Sequence, residues 1–170
     1  MDRNEPNGDI APEYLDYLRN AFLQVPLHKL LDFRFIEMEG DLVVVEMPVR
    51  PEAFNGSGNL HGGALATLID VAAGSCAARA SGFDPMTQSL VTADLHVRYL
   101  GRPKTDTVRA EARVMRAGRM LIVVEARVLD RPVPGRPDNL VAFADFSSMI
   151  VGRRDPLQPG SAAERGVPDL

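Results

Sequence analysis

Residues 54–80 read FNGSGNLHGGALATLIDVAAGSCAARA. A loop rich in glycine and asparagine runs into His61-Gly62-Gly63, and from there small and apolar residues continue for about five helical turns. Alanines and leucines fall on every side of the helical wheel, with no polar stripe. This predicts a long helix over residues 62–79, buried in the core of the domain. At ~1.5 Å per residue it would span roughly 27 Å, and its many Ala and Gly residues speak against a membrane span.

Asp70 is the only acid on that helix. An unpaired buried carboxylate costs several kcal/mol, so the fold must compensate for it or use it. At the start of the helix, Gly62 and Gly63 leave N–H donors without intrahelical acceptors at the positive end of the dipole, with no side chain to keep a ligand oxygen away. Gly62 and Asp70 are eight residues apart, ~12 Å along the axis. If they act on one carbonyl, Asp70 therefore comes from a second copy of the chain. Two antiparallel helices about a two-fold axis would make two equivalent sites.

The remaining chain supplies strands. Leu42 to Val49 pairs with Phe33 to Met38 as a hairpin around Gly40. Leu90 to Leu100 alternates, with Thr92, Asp94, His96 and Arg98 on one face and Val91, Ala93, Leu95, Val97 and Tyr99 on the other. A second hairpin, Thr107 to Met115 and Met120 to Leu129, precedes a proline-rich loop and a last strand from Leu140 to Val151. Apolar spacing from Tyr14 to Val25 predicts a short outer helix closed by Pro26. The expectation is an α+β fold with a mostly antiparallel six-stranded sheet wrapped around the long helix. One domain should cover residues 12–151, with flexible tails at 1–11 and 152–170.

A 170-residue chain with 45% apolar residues can bury a sizeable core, and a formal charge of -4 argues against general affinity for nucleic acid. The charge is uneven. Residues 98–136 carry ten Lys or Arg against four acids, which could steer a polyanion or simply decorate a solvated sheet face. Cys76 is alone, so no intrachain disulfide can form, and on this helix it reads as core filling. Neither a leader nor a membrane anchor is apparent, so a cytoplasmic location is expected. Without an HxxxH pair or a cysteine cluster no metal site is expected, and nothing calls for a cofactor. Phosphate-loop, dinucleotide and Gly-x-Ser-x-Gly patterns are absent.

Asn55-x-x-Gly58-x-x-His61-Gly62-Gly63, with Asp70 nine residues after the histidine, resembles the signature of hotdog-fold acyl-CoA thioesterases, in particular the phenylacetic-acid-pathway (PaaI-like) family. The likeness runs over residues 27–151. It implies that the Gly62 N–H holds the thioester carbonyl and that Asp70 of the opposing subunit activates water or attacks directly. It also implies that Asn55 and His61 orient the thioester and its loop and that Thr92 positions the water. The substrate would be an acyl-CoA, and the protein a homodimer or a dimer of dimers (homotetramer). Arg116 and Arg119, at the turn of the second hairpin, are the candidate contacts for CoA phosphates.

Each residue also has a plainer reading. His61 could be a helix cap, the two glycines a turn, and Asp70 half of an ion pair. A non-catalytic acyl-CoA sensor on the same fold is the main alternative. The presence of Asp70 argues against it, as does the reading of one helix, and not a helix-turn-helix, in the roughly 30 residues before the first strand. An enoyl-type hydratase would carry a different histidine dyad.

Overall fold

A computed structural model of the chain describes residue 20 and residues 24–82, 84 and 86–152. Both expected tails, apart from Gly152, and most of the helix expected between Pro12 and Pro26 lie outside the described residues. A short helix does precede the first strand. This helix, α1, is Pro26–Leu30, and Pro26, expected to close a helix, opens this one because a first-turn residue needs no N–H partner.

The strands are β1 (Arg34–Glu39), β2 (Leu42–Pro48), β3 (Gln88–Tyr99), β4 (Thr107–Ala117), β5 (Leu121–Asp130) and β6 (Leu140–Gly152). They form one sheet in the order β1-β2-β4-β5-β6-β3, and every neighbouring pair is antiparallel. The long helix α2, Gly62–Ser81, ends at Gly82, whose left-handed φ of 59° suits glycine. It lies against β2, β4 and β5, and also against β3 and β6.

Close approach of α2 depends on what the sheet places beneath it. Cross-strand partners share a face, and one row runs Val43, Ala112, Ala126, Ala144, Val97. Its three central alanines are fully buried, as are Ala72, Ala73 and Ala77 of the helix. Small residues on both surfaces bring the two backbones together. Larger side chains such as Phe146, Met47 and Leu68 fill the space around them, each 0–1% exposed.

The helix is not enclosed on every side, contrary to the sequence expectation. Leu65, Leu68, Ile69 and Ala72 are buried, whereas Gly63 is exposed and Ala66, Thr67, Asp70 and Gly74 are only half-buried. The sheet covers one flank of α2, and these small residues mark the flank it leaves open. At the far end, Arg79 donates to the carbonyls of Gly40 (2.8 Å) and Met38 (2.9 Å), tying the helix to the β1–β2 hairpin. Among the described residues no helix is long and apolar enough to cross a membrane.

Candidate active site

The loop before α2 is built by Asn55. Its Oδ1 accepts from the Ser57 and Asn59 N–H groups at 2.9 and 3.1 Å, and its own N–H donates to the Asn59 carbonyl at 2.8 Å. A side-chain oxygen that holds two backbone donors shapes the loop. The loop is closed at its base by a bridge between Phe54 and Leu60 and by the His61 N–H on the Ala53 carbonyl, 2.8 Å.

His61 is the N-cap of α2, with its Nδ1 accepting from the Gly63 N–H at 2.8 Å. Acceptance at Nδ1 assigns the proton to Nε2, which leaves an Nε2–H donor on an exposed ring. The capping role and a role towards a ligand therefore use different nitrogens. The two glycines have separate reasons. A Cβ on Gly63 would stand 2.9 Å from His61 Nδ1 and disrupt the cap, while one on Gly62 would meet the Tyr99 ring at 3.2 Å. Tyr99 also donates its hydroxyl to the Gly62 carbonyl at 3.0 Å. The Gly62 N–H has no bonded acceptor among the described residues.

Asp70 lies on the open flank of α2, and Thr92 Oγ1 donates to its Oδ1 at 2.8 Å. An even alternation along β3 would turn Thr92 outward together with Asp94, His96 and Arg98. The structure corrects that assignment. Thr92 pairs with Ser148 and Asp94 with Ser147, so Ala93 is an extra residue, a β-bulge. After it the faces exchange: Thr92 shares the helix side with Leu95, Val97 and Tyr99, while Asp94 and His96 face outward.

Both ends of the helical segment are thus held by one strand, Asp70 through Thr92 and Gly62 through Tyr99. Sequence reasoning missed Tyr99 as a site residue. Its signal was available: a tyrosine on the core face of a strand, at the strand's end, opposite a glycine that opens a helix. Among the described residues no hydrogen bond joins Gly62 to Asp70 within one chain.

Arg116 and Arg119 are both exposed, at the turn between β4 and β5. That turn belongs with the C-terminal end of α2, because Arg113 pairs with Leu42 and the Cys76 thiol meets the Ala112 carbonyl. Gly62 lies at the opposite end of the domain, where Tyr99 and the Val108–Asp130 pair are found. Much of the basic excess in this region is locally neutralised. Arg98, Arg109, Arg113, Arg127 and Arg131 pair with acids at 2.9–3.3 Å.

Cys76 is 1% exposed, with its Sγ 3.4 Å from the carbonyls of Asp41 and Ala112. Burial, and secondarily the nearby Asp41 carboxylate, pushes the thiol up to about 12. It is a protonated core residue, as its place in the sequence suggested.

The sequence matches the thioesterase superfamily family model over residues 57–133. It is 34% identical over 104 residues to the "Putative esterase" of Saccharolobus solfataricus, covering 61% of this chain and 71% of that one. Among solved structures, a thioesterase family protein from Silicibacter pomeroyi superposes with a TM-score of 0.71 at 21% identity, over 82% of this chain and 99% of that one. The E. coli PaaI protein from the phenylacetic acid degradation operon gives 0.69 at 20% identity, over 85% and 97%. At such identities the structural likeness concerns the fold alone.

Proposed function

The chain belongs to the thioesterase superfamily and is a hydrolase by that membership, and from this premise we propose that it hydrolyses the thioester of an acyl- or aryl-acyl-CoA to free acid and CoA. The observation that carries the reading is the Thr92–Asp70 hydrogen bond on the open flank of α2. It orients a carboxylate beside a surface that a substrate can reach, on the same strand that holds Gly62.

In this reading the thioester carbonyl oxygen accepts from the Gly62 N–H, the free donor at the positive end of α2. Asp70 takes a proton from water as the water oxygen bonds to the carbonyl carbon. Thr92 holds Asp70 and the water in line. The tetrahedral intermediate collapses, the C–S bond breaks, and Asp70 returns its proton to the CoA thiolate. His61 Nε2–H and the loop shaped by Asn55 orient the thioester.

Because ~12 Å of helix separates Gly62 from Asp70, each site is assigned to a dimer in which the partner supplies Asp70. Two features support this assembly: the open flank of small residues on α2, and β3, a 12-residue edge strand with only β6 beside it. Pairing of dimers into a tetramer is also proposed. It would cover apolar residues on the outer face, where exposed Leu121 and Val91 flank Met149. Arg116 and Arg119 remain candidates for CoA phosphates. In an antiparallel dimer they would serve the partner's site.

Release of free CoA thiol from a small panel of aryl-acetyl, short and medium acyl-CoA thioesters tests the activity. Steady CoA production by the wild type, lost in Asp70→Asn, is the expected result. Absence of thiol release from every substrate would refute it.

A further inference from the structure

The cations of the basic region that form no ion pair among the described residues fall into two groups at opposite ends of the domain. Arg116 and Arg119 form one. The other lies around the loop between β5 and β6 and the segment before β4, where Arg102, Lys104 and Arg136 have no ion-pair partner among the described residues. Of these cations only Lys104 and Arg136 line a described cavity, of about 230 Å³, with Thr105, Asp130, Arg131, Val133, Pro137 and Asp138 also in its wall.

The acids near this cavity are already engaged. Asp130 is 5% exposed and accepts from the Lys104 N–H at 3.0 and 3.1 Å and from Asn139 Nδ2 at 2.8 Å. Asp106 pairs with Arg131 at 3.3 Å, and Asp138 faces Arg109 at 3.8 Å. Asp130 thus works as an internal fastener that fixes the loop, and Lys104 Nζ and the Arg136 guanidinium are left over for an external anion. Val133 and Pro137 add an apolar wall. A flat base beside phosphates needs this combination of apolar surface and free cations.

The cavity also lies at the right end of the molecule. Tyr99 touches Gly62, and the chain reaches Lys104 five residues later, at most ~17 Å away. Asn139 Nδ2 donates to the Arg102 carbonyl at 2.9 Å, binding the cavity's loop to that same segment.

We infer that the cavity between Lys104 and Arg136 receives the phosphorylated adenosine end of the CoA substrate, in the same chain whose Gly62 holds the carbonyl. This rests on the acyl-CoA reading above and assigns the phosphates to a different place from the Arg116–Arg119 turn.

The test compares wild type, Lys104→Gln/Arg136→Gln and Arg116→Gln/Arg119→Gln on one acyl group carried by CoA and by pantetheine. Adenosine 3′,5′-bisphosphate is titrated into each protein by calorimetry as a measurement that needs no turnover. The Lys104/Arg136 variant should raise KM for the CoA thioester roughly five- to thirtyfold, the scale of two partly exposed charge-assisted contacts. It should leave KM for the pantetheine thioester and kcat for both unchanged, and lose bisphosphate binding. Equal effects on both substrates, or loss of bisphosphate binding only in the Arg116/Arg119 variant, would overturn the inference. If wild type hydrolyses neither thioester, the thioesterase reading fails separately. Bisphosphate binding that depends on Lys104 and Arg136 would then still support the cavity as the nucleotide site, and no binding would overturn it.

Discussion

The Thr92 hydroxyl reaches the Asp70 carboxylate at 2.8 Å only because Ala93 is an extra residue in β3. Thr92→Val keeps the shape and removes the donor. It is expected to lower kcat by roughly 10- to 100-fold, the range of a hydrogen bond to a charged group, with little change in melting temperature. Thr92→Ser should retain most activity. Steady-state kinetics on the three proteins check this, and an unchanged kcat in Thr92→Val would remove Thr92 from the site.

Gly62 and Tyr99 should behave as a coupled pair. Gly62→Ala places a methyl group 3.2 Å from the Tyr99 ring, so either the ring or the first turn of α2 must shift. A loss of about tenfold in kcat is expected, since displacing an oxyanion donor costs up to ~10²–10³. Adding Tyr99→Leu frees the space and should recover part of it. Strictly additive effects in this double-mutant cycle would mean that the two residues act independently.

The thiol of Cys76, pushed from 9.0 to about 12, gives a pH dependence of definite sign. Its folded value lies above its unfolded one, so its contribution to stability is fully present below about pH 9 and is lost as pH rises towards 12. Native protein should resist thiol reagents at pH 8 and react once denatured. Denaturant midpoints should fall more steeply above pH 9 in wild type than in Cys76→Ala. Equal slopes would show that the thiol does not titrate differently on unfolding.

His61→Ala removes the cap of α2 and is expected to cost about 1 kcal/mol of stability. His61→Asn keeps a capping oxygen and should restore the melting temperature. If activity returns with it, the cap alone matters. If activity stays low, the Nε2–H donor contributes separately.

The elements were readable because their signals are local. Gly62-Gly63 and the apolar run mark α2, and the strands follow from their alternating inward residues, with ends within two residues of those observed. What escaped the sequence was non-local. A period of two cannot reveal that Ala93 is surplus, because the surplus is defined by the partners Ser147 and Ser148 on β6. The open flank of α2 looked apolar because Gly63, Ala66 and Gly74 are small, and small residues suit a core and an interface equally. The Lys104–Arg136 cavity depends on Asp130, whose role as a fastener needs the folded loop.

In the proposed mechanism each site joins two chains, and subunit mixing tests this most directly. One chain carries Asp70→Asn, and the other Gly62→Pro, which deletes the carbonyl-binding N–H at a position where helices accept proline. Both parents must first be shown to fold and dimerise, and each alone should be inactive. After co-expression, about half of the dimers are mixed, and each has one site pairing an intact Gly62 with an intact Asp70. Activity should therefore recover to roughly a quarter of wild type. Verified mixed dimers that stay inactive would contradict the cross-subunit site.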